Sequence, residues 1–476
     1  MPWPVGLIGV LLTLAGCVDL SQPMKPADDG DDRRDGGVDA LQMTDADDRP
    51  VVQPDAAVPP TVALAARIAA IGLGNGSDGD YESKGADSIN DYARVTIDAP
   101  AGGLRIAAFP STAFREGDVV IVWQDVGLPT PELNAAGKLK VQESGTGQWE
   151  INRVKAVGNE ELTLEYPMLY AYPKGFSQVV RVPQYRSVTI REFNRVEAKE
   201  WSESQGGGLL ALLATGIVTL DGDLRGGGRG LIEGQPSLDS PECDSGGSDE
   251  PAPSGASKGG SFIGGGAPSG TGWGHRANGG GGGTCAYSGG GGGGGISWGG
   301  RGAAKRGNAA NPLGGRGGAG NPADPWRLYM GGGGGGASGP LASRGGRGGG
   351  VAWLRARELQ GRGSVNADGH GSTVEKSARA AAGGGGGGGT VWVQIDTTAT
   401  CGELNASGGL GEDRADGFGH AGGGGGGQII LRLPSASALK CTTRVEGGWA
   451  QTKDTMVAAG PSKGRDGTVL MEIVAP

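Results

Sequence analysis

The sequence predicts an all-β protein. An N-terminal antiparallel β domain leads into a glycine-rich, β-solenoid-like array carrying polyglycine helices of the polyproline II type. Three observations predict it. Strand-like segments recur at a fixed spacing, and each is led by glycine. Upstream of them, glycine thins out and Val, Ile and aromatic residues gather in short runs.

The repeat sets the framework. Gly349–Trp449 holds three copies of one unit, and a fourth lies at Gly207–Gly228. The strands read Leu209–Ala214, Val351–Ala356, Thr390–Ile395 and Gln428–Leu433. A second short segment follows in three of them: Gly222–Gly228, Gly363–Gly369 and Gly402–Gly408. The spacing is 39 residues from Gly350 to Gly389 and 38 from Gly389 to Gly427. A period of this size with strands in register marks a stacked array.

Side chains alternate across a strand. One face carries Ala352, Leu354, Ala356, then Val391, Val393, Ile395, then Ile429, Leu431, Leu433, with Leu210, Leu212 and Ala214 in the first copy. That face is wholly aliphatic and is the expected core. The opposite face carries Trp353, Arg355, Trp392, Gln394, Ile430 and Arg432. Trp353 and Trp392 should stack on neighbouring rungs. The first copy puts Leu209, Ala211 and Leu213 there, so something should cover it, and the β domain upstream of it could.

Glycine makes up 102 of 476 residues. Runs such as Gly383–Gly389 and Gly422–Gly427 read by composition as loose linkers. Their recurrence at the repeat period, each leading into an apolar strand, argues for an ordered bundle. Extended polyglycine without side chains can pack side by side and hydrogen-bond through its main chain. Loose loops are the alternative.

In chain order, residues 1–17 carry no charged side chain, and the apolar run Val5–Leu14 suits a signal segment better than a spanning helix. Leu14-Ala15-Gly16-Cys17 resembles a bacterial lipobox, which implies a lipid on Cys17 of an exported protein. The segment lacks the usual Lys or Arg before the apolar run. Val18 in place of Asp implies the outer membrane, by analogy with enteric sorting. Residues 18–61 are an acidic tether expected to be disordered. Residues 18–60 hold eleven Asp against four Lys or Arg, a net of −7, so only −2 of the −9 total lies elsewhere. No basic nucleic-acid surface is implied. Residues 62–204 read as a compact antiparallel β domain, barrel or sandwich, with a turn at Gly158-Asn159. Residues 205–476 are the glycine-rich repeat domain, interrupted by an insertion at 229–348.

Gly74–Gly79, Glu116–Val122, Gln178–Tyr185 and Gly206–Leu210, followed by glycine-run repeats, resemble a recurrent group of secreted bacterial glycine-rich surface proteins common in myxobacteria. The glycine-rich part is also weakly similar in composition to the glycine-rich domain of anaplastic lymphoma kinase-type receptors. Neither resemblance supplies a catalytic residue.

Little chemistry is written in the rest. His275, His370 and His420 stand at no metal-ligand spacing. Asp78-Gly-Asp80-Tyr-Glu82 reads as a polar turn rather than a calcium loop. No metal, cofactor or catalytic residue is expected. Arg355, Gln394 and Arg432 form an outer column, but no carboxylate pair accompanies them as glycoside hydrolysis needs, so a polysaccharide-acting enzyme is the weakest alternative. The reading is a lipid-anchored, surface-exposed structural or adhesive protein with no catalytic activity. Its rival is a glycan-binding or receptor module using Trp273, Trp298 and Trp326 of the insertion. Setting lipidated Cys17 aside leaves four cysteines, which allow three connectivities. Cys401 and Cys441 are 40 residues apart, about one period, and rungs ~4.8 Å apart fit a bridge. They are expected to pair, leaving Cys243 with Cys285.

Overall fold

The computed structural model describes residues 59–129, 131–238, 255–263, 272, 274–284, 287–303, 314–372, 380–412, 419–450 and 462–474. The expected signal segment, Cys17, nearly all of the tether, Trp273, Cys243 and Cys285 lie outside these residues.

The described chain is all-β with one α-helix, α1 (Pro60–Ile71). Pro60 starts it, where a missing N–H costs nothing. Gly72 ends it with φ +61° and donates its N–H to Ile68 O at 3.1 Å. Leu64, Ile68 and Ile71 are buried. The sequence reading had no helix here; the segment is short and alanine-rich, and its order comes from packing its Leu and Ile side chains.

Two parallel sheets are built in layers. The first layer holds β1 (Asp80–Glu82) and β2 (Ala86–Asp87). The chain then makes six antiparallel strands: β3 (Tyr92–Val95), β4 (Arg105–Phe109), β5 (Val119–Gln124), β6 (Trp149–Val157), β7 (Glu161–Leu164) and β8 (Ser177–Val182). They close a barrel in the order β3-β4-β7-β6-β5-β8. Next come β9 (Gln184–Tyr185), β10 (Ser187–Ile190) and β11 (Arg195–Glu197), then β12 (Leu209–Leu220) with β13 (Asp223–Arg225). The following layers are β14 (Val351–Gly361) with β15 (Ser364–Asn366), β16 (Thr390–Ile395) with β17 (Glu403–Asn405), β18 (Gln428–Leu433) with β19 (Thr442–Arg444), and β20 (Thr468–Ile473). The long strands form an eight-stranded sheet along β1-β10-β12-β14-β16-β18-β20, with β9 pairing β12 off this path. The short strands form a six-stranded sheet, β19-β17-β15-β13-β11-β2.

The boundary expected at residue 204 is therefore crossed by hydrogen bonding. β10 and β11 pair β12 and β13, and two layers precede the first copy read from sequence. They carry no glycine run, so the repeat signal missed them.

The pairing keeps the expected register. Ala352 lies beside Leu210 and Val391, and Val391 beside Ile429. These aliphatic side chains fill the space between the two sheets with Val196, Leu224, Val365 and Leu404. Each Val, Leu or Ile among them contributes roughly 1.5–3 kcal/mol by leaving water. On the other face of the large sheet, Leu209, Leu213, Trp353, Trp392 and Ile430 meet Ile121, Trp123, Trp149 and Ile151 of the barrel and Leu64 and Ile68 of α1. The barrel is thus the cover that the apolar first copy requires. β5 is buried on both sides: Val120 and Val122 face the barrel interior while Val119, Ile121 and Trp123 face the sheet.

The glycine runs carry no strand assignment, yet their main chains are paired. In Gly289–Gly295, Gly290 and Gly293 donate to Ala382 and Gly385, Gly291 and Gly294 to Gly281 and Asn278, and Gly292 and Gly295 to Gly300 and Ser297. The carbonyls follow the same rule. Gly422 and Gly425 donate to Gly290 and Gly293, Gly335 and Gly332 to Gly291 and Gly294, and Gly318 and Asn321 to Gly292 and Gly295. All these bonds are 2.7–3.0 Å. Every third residue faces the same neighbour.

Candidate functional site

The two most deeply buried carboxylates among the described residues, Asp125 and Glu150, are hydrogen-bond hubs. Asp125 accepts from Arg94 Nη1 at 2.9 and 2.8 Å, Gln178 Nε2 at 2.9 Å and Trp201 Nε1 at 2.6 Å. Glu150 accepts from Arg67 at 2.6 Å, Leu169 N at 2.6 Å and Asn152 Nδ2 at 3.1 Å. Burial pushes both carboxyls up, and the guanidinium beside each opposes it. Their acceptor sites are taken by groups that tie the barrel to α1 and to the chain at Trp201.

Another concentration of polar groups lies on the outward face of the six-stranded sheet. Strand alternation sends Leu224, Val365 and Leu404 inward and leaves their neighbours outward. Pairing stacks Asp223, Ser364 and Glu403 in one column and Arg225, Asn366 and Asn405 in the next. With Asp368 and His370 they line a groove of about 350 Å³. Asn366 Nδ2 donates to Ser364 Oγ at 2.7 Å, and Ser364 Oγ donates in turn to Asp223 Oδ1. Arg225 pairs with the other Asp223 oxygen at 3.2 Å. Asn405 Oδ1 accepts from Ser407 N at 2.9 Å.

His370 closes one end. Gly228 has φ +61°, and a Cβ there would overlap the imidazole, so only glycine lets the ring rest on that turn. Although His370 remains exposed at the surface, the covered part of its ring lowers its proton affinity, with Asp368 opposing. Burial likewise raises the Asp368 carboxyl, with His370 opposing. Among the described residues, no group of three or more His, Cys, Asp or Glu is placed to hold a metal ion. The groove offers interleaved donors and acceptors on a rigid sheet.

A larger cleft of about 820 Å³ lies at the barrel rim beside Gln124, Gln148, Tyr170 and Tyr172. Its amides are engaged already: Gln124 Nε2 donates to Ser144 O at 2.8 Å and Gln148 Nε2 to Ala171 O at 2.7 Å.

No protein-family model and no curated protein matches the chain. Among solved structures, matches include the tailspike gp61 of Pseudomonas phage phi297, at 13% identity and a TM-score of 0.16, covering 75% of this chain and 57% of that one. The Gp54 tailspike of Acinetobacter baumannii bacteriophage AP22, solved with an A. baumannii capsular saccharide, matches at 9% identity and a TM-score of 0.16, with coverages of 76% and 58%. The tailspike gp49 of Pseudomonas phage LKA1 matches at 12% and 0.15, with coverages of 78% and 62%. The chain thus spans about three-fifths of those proteins, and scores this low carry no argument about fold or function.

The residues singled out from sequence fall in different places. Cys401 and Cys441 are disulfide-bonded, with Cα atoms 4.7 Å apart. Trp298 is partly buried; its Nε1 donates to Gly137 O at 3.0 Å, and His275 meets it edge-on at 5.4 Å. Trp326 has the Arg432 guanidinium over its ring at 4.5 Å. Both are partly buried and engaged in these contacts. The Arg355, Gln394 and Arg432 column is covered, at 7%, 8% and 5% exposure. Arg355 donates to Ile68 O at the C-terminal end of α1, where a cation is favoured, and Arg432 pairs with Glu472 at 2.8 Å. Asp78 accepts from Gln184 N at 2.7 Å and Arg181 at 2.5 Å, holding a turn. The groove was not legible because its residues sit at alternate positions of three short glycine-rich segments and converge only across strands.

Proposed function

We propose that this is a cell-surface structural or adhesive protein without catalytic activity, anchored in the outer membrane through a lipid on Cys17. Its folded part is read as a β-solenoid-like stack continued by a bundle of polyglycine helices of the polyproline II type. The observation that carries the reading is the three-residue period of main-chain bonding in the glycine runs. A polyproline II helix turns once in three residues, so residues i and i+3 address one neighbour, as Gly290 and Gly293 do. One run is ringed by six segments in this way. The packing leaves no room for side chains: a Cβ on Gly293 would overlap Gly332 O. Such a body offers stiffness inside and loops at its ends, which suits a spacer or presenting head. A glycan-binding or receptor role is the second reading, and the open polar groove favours it more than the tryptophans do.

The test is expression of the full chain and of Cys17→Ser in a bacterium with an outer membrane. Wild type should take up labelled palmitate, be cleaved from intact cells by added protease, and increase their adherence. Equal labelling of the variant, or protection from protease on intact cells, contradicts the reading.

A further inference from the structure

We infer that the polar groove on the six-stranded sheet binds a neutral oligosaccharide laid across the strands. The inference deepens the adhesive reading and rests on it. Charge is the first argument. Asp223, Glu403 and Asp368 are interleaved with Arg225, Asn366 and Asn405. An anion meets three carboxylates there, and among the described residues no three acidic or imidazole groups are placed to hold a metal ion. The ligand that suits both kinds of group is one whose own groups donate and accept, and hydroxyls do both.

The main chain supplies the second argument. β13, β15 and β17 are each paired on both sides. An extended peptide finds no free edge to join, so recognition must run through side chains. Equivalent side chains on adjacent rungs stand ~4.8 Å apart, a step comparable to one ring of an extended sugar chain.

Unused bonding capacity is the third. Glu403 makes no side-chain hydrogen bond or ion pair among the described residues. The chain from Asn366 through Ser364 to Asp223 fixes those three groups before any ligand arrives.

The test uses the full chain on an array of neutral, anionic and amino-bearing oligosaccharides, with Glu403→Gln, Asn405→Ala and Trp449→Ala. Glu403→Gln keeps shape at a half-buried position, and unchanged thermal midpoints verify folding. Trp449 is 58% exposed and outside the groove. The expected result is wild-type binding to neutral oligosaccharides, weakened at least tenfold by each groove substitution and unaffected by Trp449→Ala. Binding that survives both groove substitutions, is lost with Trp449→Ala, or is confined to charged sugars overturns the assignment. If wild type adheres to cells yet binds no sugar on the array, the groove assignment falls and the adhesive reading stands. If it does neither, both fall.

Discussion

Single residues decide whether glycine here is structure or filler. Gly293→Ala drives a methyl into Gly332 O and should cost about 1–3 kcal/mol by overpacking. At Gly158, a Cβ meets nothing nearer than 3.5 Å, so Gly158→Ala should stay within about 0.5 kcal/mol of wild type. Thermal or denaturant melts of the two variants check this; equal melts would mean that the runs are not packed. A second residue-scale prediction concerns pH. The Tyr81 hydroxyl donates to Asp87 Oδ2 at 2.6 Å, and with Lys84 N it holds the Asp87 carboxyl below its ordinary value. A depressed folded value adds stability above the unfolded value of about 3.9, and that stability is lost as pH falls through the folded value. Carboxyl titration by NMR should show a low Asp87 midpoint, and Tyr81→Phe should return it toward normal. This pair was not legible in sequence: the turn read there ended at Glu82, and Asp87 stands on β2, in the other sheet from the β1 of Tyr81.

At the scale of elements, strand alternation was the readable signal. Trp353 and Trp392 stack at 4.7 Å with rings 7° apart, and Trp149 meets both edge-on. Trp392→Ala should destabilise by about 3–5 kcal/mol. A cycle with Trp353→Ala should show about 0.5–1.5 kcal/mol of coupling; strict additivity would mean that the rings do not act as a pair. The bridge between Cys401 and Cys441 closes a loop of 40 residues, so the Cys401→Ser, Cys441→Ser double variant should lose roughly 2–4 kcal/mol by chain entropy, read from its denaturant midpoint. Its position followed from the repeat, because both cysteines stand just past the long strand of their layer. Helix α1 and the place of β1, β2, β10 and β11 in the layered sheets were not legible. They lack the glycine lead, and β1 and β2 find their partners about 100 residues away, as Asp80 and Ser187 do.

At the scale of the molecule, layered sheets, barrel and glycine runs share cores without a seam at residue 204. The barrel covers the outer face of the large sheet, and the runs enter the long strands directly, as Gly389 N bonding Ala367 O and leading into β16 shows. The need for a cover was readable from Leu209, Ala211 and Leu213. The preceding β domain was the expected cover, but which of its residues supply it was not legible, because they lie on strands whose other face looks equally apolar, as in Val119–Trp123. The groove was illegible for a related reason: Asp223, Ser364 and Glu403 are separated by whole repeats and meet only through register. The central claim is that the glycine runs form an ordered, main-chain-bonded body, and hydrogen exchange tests it most directly. The amides of Gly289–Gly295, each bonded to a neighbouring segment from Gly289 to Gly295, should exchange as slowly as those of β14 and β16. Exchange of these glycine amides at the rate of an unstructured peptide, while the strands stay protected, would contradict the account.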